Sequence, residues 1–178
     1  MTIGIDVSQT AYKNTGVANY LTKVVEKMIE SDEKNEYVFF YSSLRNRFDL
    51  SDFKFSKKPK NLTVKTFKFP AKVLDLLWNK FHVVPIEWFI GPVDIFVTSD
   101  WTEPPAKKAR KATFLYDLIV YKYPNETAAG IVATQKRKLS WVVKEASAVF
   151  CISEATKKDA QEILRLSPEK LHVIYPGA

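Results

Sequence analysis

Apolar positions recur along the chain with two alternating periods. Thr2 to Val7 alternates and is rich in Ile and Val, which predicts a buried first strand. Ser8 to Gly16 is polar and reads as a loop. From Val17 to Ile29 the apolar residues Val17, Tyr20, Leu21, Val24, Val25 and Met28 step by three and four, the signature of a helix. Tyr37 to Tyr41 and Leu62 to Phe69 predict two further strands. Ala71 to about Val84 predicts a helix with Val73, Leu74, Leu77, Trp78 and Phe81 on one face, limited by Pro85. Short apolar strands are expected at Asp94 to Thr98, Ala112 to Tyr116, Ala148 to Ile152 and Leu171 to Tyr175. Helices are expected at Glu126 to about Ala146 and at Ser153 to Leu166. Ser153 is placed to cap the helix it precedes. Ser167-Pro168-Glu169 offers a capping hydroxyl before a first-turn proline.

Strands that alternate with helices, and are apolar on both faces, predict an α/β fold with a mainly parallel sheet covered by helices. A length of 178 residues suits one domain spanning 1–178 with a core of its own. The ending Tyr175-Pro176-Gly177-Ala178 reads as a boundary leading into a linker.

Composition narrows the classes of function. With 46% hydrophobic and 26% charged residues the chain has the profile of a soluble globular protein. Its most apolar stretch, Val83 to Val97, is broken by Glu87, Asp94 and two prolines, so it does not predict a membrane span. The opening Met-Thr-Ile-Gly-Ile-Asp carries an early acid and no basic segment, which predicts no signal peptide. The single Cys151 lies in an apolar run, suits a reducing compartment and reads as a small core residue. The net charge of +7 is uneven. Every charged residue between Lys54 and Lys72 is a lysine, and a second cluster comprises Lys107, Lys108, Arg110 and Lys111. Such clusters attract phosphates, anionic lipid or nucleic acid, or simply form a solvated face. Lys54 to Lys60 is the expected mobile loop.

Four segments are candidates for chemistry. The loop Gln9 to Gly16 follows a strand and precedes a helix, where ligands of parallel sheets sit and where free backbone N–H groups meet anions. Gly16 either lets a ligand approach the backbone or serves a strained turn. Tyr116-Asp117 ends a strand, and Asp117 can accept a sugar hydroxyl or cap its own turn. Ser153-Glu154 is explained by helix capping and the helix dipole. Trp78, Phe81, Trp88 and Phe89 follow the lysine-rich stretch, as an interfacial membrane surface requires, although the same spacing also suits a core. His82 and His172 sit in apolar surroundings with no ligand partner at metal spacing, and read as structural. Neither a Walker loop nor a Ser-His-Asp arrangement is legible.

Three segments in order resemble the N-terminal domain of family 4 glycosyltransferases. They are Ile3-Gly4-Ile5-Asp6 followed by Asn14-Thr15-Gly16-Val17-Ala18-Asn19-Tyr20, then Leu115-Tyr116-Asp117-Leu118-Ile119 with Tyr123-Pro124, then Ala148 to Asp159 continuing through Lys170 to Ala178. The resemblance covers nearly the whole chain. It implies one Rossmann-like half of a GT-B architecture, the acceptor side, in a retaining enzyme that uses a nucleotide-sugar donor and neither cofactor nor metal. It implies donor-binding roles for Gly16 and Val17, and catalytic roles near the reacting carbon for Tyr116 and Asp117. The acceptor side would be shaped by Tyr12, Lys13 and Asn14, together with Trp101. Where the family usually has His before this Asp, the chain has Tyr116, which exchanges hydrogen bonds but carries no positive charge at neutral pH. The C-terminal donor domain has no counterpart here and would come in cis or from a partner chain, so the chain alone would be inactive. The acceptor would be a glycan or a lipid-linked sugar. The location would be cytoplasmic, with an anionic inner membrane face as a docking partner. A non-catalytic module binding a partner chain or an anionic membrane is the alternative. Nucleic acid is the weaker partner, because no recognisable motif accompanies the lysines.

Overall fold

In a computed structural model that describes residues 1–176, seven strands form one sheet, all parallel, in the order β3-β2-β1-β4-β5-β6-β7. The strands are β1 (Thr2–Asp6), β2 (Glu36–Ser42), β3 (Leu62–Phe67), β4 (Ile95–Thr98), β5 (Arg110–Leu115), β6 (Ala146–Cys151) and β7 (Leu171–Val173). The helices are α1 (Gly16–Glu30), α2 (Ala71–Leu74), α3 (Glu87–Ile90), α4 (Ile119–Lys122), α5 (Ala129–Glu145) and α6 (Glu154–Leu164). The α/β fold with a Rossmann-like parallel sheet is therefore present. The end of the expected linker, Gly177-Ala178, lies outside the described residues.

Successive strand residues point to opposite faces, and both faces are packed. Ile5, Phe39, Val97 and Phe114 lie under α1, where Leu21 and Val25 are fully buried. Each such aliphatic side chain contributes roughly 1.5–3 kcal/mol. On the other face Phe40 and Phe96 meet Trp78, Ile86 and Ile90 of the β3–β4 crossover. Val149 and Cys151 meet Leu139 and Val142 of α5 and Ala160 of α6. Gly4 is required by close approach, since a Cβ there would lie 2.8 Å from both Ile90 and Phe96 side-chain carbons.

Several expectations are revised. The helix after β3 widens into a π-turn over Asp75–Lys80, where the Phe81 N–H donates to Leu76 C=O, five residues back. The wider turn rotates later side chains off the predicted face, so Leu74 and Trp78 are buried while Phe81 is exposed. Of the expected aromatic surface, Trp78 is core and Phe89 packs against Phe40 and Phe67, leaving Phe81 and Trp88 outside. Lys111 leaves the proposed basic cluster altogether: it is buried on β5 and paired with Glu103 and Glu145. His172 is exposed on the edge strand rather than enclosed. Ser153 caps α6 through Thr156 N–H as expected, but Ser167 makes no side-chain cap. The start of the lysine-rich loop is pinned, because Phe53 and Phe55 stack together and Glu26 and Glu30 accept the N–H groups of Lys54 and Ser56. Cys151 is fully buried, and burial pushes its thiol up to about 11.

Candidate functional site

Strand order reverses between β1 and β4, and the loops leaving the carboxyl ends of β1, β3, β4 and β5 open a cleft there. This is where parallel sheets bind ligands. The cleft has a volume of about 840 Å³. Its walls are Gln9, Tyr12, Thr15 and Val17 after β1, Ala71, Lys72 and Asp75 after β3, Asp100, Trp101 and Thr102 after β4, and the first half of α5 from Gly130 to Arg137. A smaller recess of about 270 Å³ shares Val17, Asp100, Trp101 and Ile131 with it and reaches Tyr116 and Asp117.

Each wall is held from behind. Thr15 caps α1 by accepting the Ala18 N–H at 3.2 Å, which sets the helix start at Gly16. Gly16 does not relieve a strained angle: the left-handed residue of this loop is Asn14, at φ 68°. A Cβ at Gly16 would meet nothing within 4 Å, so the glycine leaves open space beside Thr15 and Val17. Trp101 is fixed through its carbonyl, which accepts from Asn79 Nδ2 at 2.8 Å. Asp75 and Arg137 tie the α2 and α5 walls together by an ion pair of 2.6 Å.

Tyr116 is buried, with its hydroxyl 3.1 Å from Ser99 Oγ and its ring edge-on to Tyr20. Burial pushes its phenol well above the ordinary value, so it is a neutral hydrogen-bonding group. Asp117 is exposed, and its Oδ1 accepts the Ile119 N–H at 3.0 Å, so it caps its own turn while also lining the recess. The structure thus brings Val17, Trp101, Tyr116 and Asp117 around the recess, with Tyr12 in the adjoining cleft. Lys13 points elsewhere, its ammonium 2.6 Å from Asp52, and neither Asn14 nor Gly16 lines either cavity, although Thr15 and Val17 beside Gly16 do.

Asp100 escaped the sequence reading although it follows β4 directly. It lines both cavities, and Gln135 Nε2 donates to its Oδ1 at 3.1 Å. Burial raises its carboxyl above the ordinary value, against the opposing charge of Lys138. The position at a strand's carboxyl end was the available signal. Lys138 gave no signal, since a lysine within a long helix reads as solvated. It is instead fully enclosed beneath the recess, donating to Ser99 C=O at 2.6 Å and Thr113 Oγ1 at 3.0 Å, and burial lowers its affinity for the proton.

Asp6, at the end of β1, supports the β1 wall by accepting the Ser8 N–H at 2.9 Å. Burial pushes its carboxyl above the ordinary 3.8, outweighing the bonds from Ser8 and Thr102 and the charge of Lys138. The folded state therefore holds the Asp6 proton more tightly than the unfolded chain. The resulting stabilisation is complete below the unfolded value and is lost as pH rises through the raised folded one. An Asp6→Asn variant, neutral throughout, should gain stability relative to the parent as pH rises above the ordinary carboxylate value. Urea unfolding at a series of pH values measures this, and parallel profiles for the two proteins would remove the assignment.

Among the described residues no group of three or more His, Cys, Asp or Glu is placed to hold a metal ion, and no helix is long and apolar enough to cross a membrane. Comparison with protein-family models and with curated proteins finds no match to this chain.

Proposed function

We propose that this chain is the acceptor-side half of a retaining, GT-B-type glycosyltransferase that moves a sugar from a nucleotide-sugar to a glycan or lipid-linked acceptor. The observation that carries the reading is the cleft at the point of strand reversal, with Thr15 and Val17 from the start of α1 on one wall and Trp101 among its other lining residues. A helix start with unfilled space favours a donor phosphate through its free N–H groups and partial positive charge. The aromatic faces of Trp101 and Tyr12 with a few convergent polar groups suit a sugar ring. In this reading Gly16 and Val17 receive the donor, while Tyr116 hydrogen-bonds a sugar hydroxyl near the reacting carbon. Asp117, whose Oδ1 is engaged by its own turn, offers its second oxygen. The contribution of these residues is positioning and electrostatic complementarity, with the remaining donor contacts supplied by a second domain in cis or by a partner chain.

Saturation-transfer NMR on the chain, against panels of nucleotide-sugars and oligosaccharides, tests the reading. At least one member of the oligosaccharide panel should receive magnetisation, and Trp101→Ala should remove most of that signal. Absence of transfer to every member of both panels would overturn the proposal.

A further inference from the structure

We infer that the strip running from α2 through the turn at 82–84 to α3 is a docking surface for an anionic lipid bilayer, a property independent of whether the cleft transfers sugar. Leu76, Phe81, Val83 and Trp88 are exposed to 43%, 58%, 44% and 66% along this one crossover. Phe81 and Val83 are placed outside by a strained turn. His82 and Val84, at φ 53° and 64°, both occupy the left-handed region, which a β-branched residue strongly disfavours. The turn is nonetheless locked from within. Trp78 Nε1–H donates to Val84 C=O at 3.0 Å, and the His82 ring stacks on Trp141 at 3.6 Å. The two nitrogens of that ring lie 2.8 Å from Trp78 C=O and Glu145 Oε1. A turn held in an unfavourable backbone state, with its histidine inward and the apolar residues on either side outward, points to a use for that display.

Charge identifies the occupant. Lys72, Lys80 and Lys107 flank the strip, and among the described residues none forms an ion pair. The neighbouring acids are already engaged: Asp75 by Arg137, Glu145 by Lys111 and His82, and Glu87 by the N–H groups of Lys107, Lys108 and Ala109. Glu87 keeps its charge, since the N–H groups that hold it are neutral, but the three lysines outnumber it and the strip is apolar and net positive. The ammonium groups of Lys80 and Lys107 lie 5.6 and 5.0 Å from the rings of Phe81 and Trp88, so cation and aromatic reach the surface together. That combination fits the headgroup region of an anionic membrane. A second copy of the chain would instead bring like charges face to face.

Flotation with phosphatidylcholine vesicles containing phosphatidylglycerol, against phosphatidylcholine alone, tests the inference. Binding should require the anionic lipid and fall as salt is raised, with about a fivefold loss for each of Lys72, Lys80 and Lys107 replaced by Ser. A Phe81→Ser/Trp88→Ser double variant changes only exposed side chains. It should keep its circular dichroism spectrum and lose binding by tenfold or more. No binding of the parent at low salt, or undiminished binding of the double variant, would overturn the inference. A dimer abolished by the same double variant, with no vesicle binding, would assign the strip to a second copy instead.

Discussion

Replacing Gly16 with tryptophan is expected to lower transfer by about a hundredfold or more in the polypeptide as its cell makes it, while leaving the fold intact. The two halves of that expectation rest on the same geometry. Gly16 is exposed at the first position of α1, has no left-handed φ, and has nothing within 4 Å of where a Cβ would stand. A side chain there starts from an exposed position whose Cβ meets no neighbour. The Thr15 cap that starts the helix involves Ala18 and not residue 16. The indole would instead fill the space beside Thr15 and Val17 that the donor is proposed to occupy. Gly16→Ala serves as the graded control, since one methyl group meets no neighbour and should leave most of the activity. Steady-state transfer from a radiolabelled nucleotide-sugar, alongside thermal melting, reads both effects. Unchanged turnover in a folded tryptophan variant would take Gly16 out of the donor site.

The largest loss of stability is expected from Lys111→Met. Lys111 Nζ lies 2.9 Å from Glu103 Oε1 and 2.7 Å from Glu145 Oε2, and Glu103 is wholly buried. Removing the ammonium leaves the Glu103 carboxylate enclosed without its ion-pair partner, with the Thr98 hydroxyl at 2.6 Å on its other oxygen. Breaking a buried pair on one side costs about 3–5 kcal/mol. For a chain of this length that corresponds to a fall in melting midpoint of about 10 °C. Removing both charges, Lys111→Met with Glu103→Leu, should recover at least about 1 kcal/mol, because the enclosed charge goes with its partner. Glu145 is the less affected neighbour, being about a third exposed and retaining His82. Urea titration of the two variants decides the matter: equal stability of single and double variant would show that Glu103 does not depend on Lys111.

What could be read from the sequence follows from how each element is stabilised. Strands buried on both faces announce themselves as short apolar runs, so β1, β2, β4, β5 and β6 were legible within a residue or two. The α/β class followed from their alternation with helices. The short helices α3 and α4 were not legible, because four residues are too few to establish a period. The π-turn at Asp75–Lys80 was invisible for a related reason: the 3.6-residue template has no place for an added residue. Among the expected site residues, Tyr116 and Asp117 were singled out because they follow a strand, a position where parallel sheets hold ligands, while Val17 and Trp101 entered with the family resemblance. Lys111 and Lys138 were not, because their types are those of solvated residues. Only the tertiary fold supplies the acids and carbonyls that let two lysines be buried.

Lys138 and the Glu145 that meets Lys111 both belong to α5, and so does the cleft wall from Gly130 to Arg137. The charged contacts run down the middle of one sheet face, with separate apolar clusters to either side. Apolar packing alone would tolerate a small slide or roll of α5 across the sheet. The ammonium of Lys138, seated between Ser99 C=O and Thr113 Oγ1, does not. The second half of the helix therefore acts as a keyed hub that sets where its first half stands. The width of the cleft mouth is dictated from beneath its floor. Variation at the rim could then alter what is bound without altering the gauge of the opening, and a change at Lys138 would do the reverse.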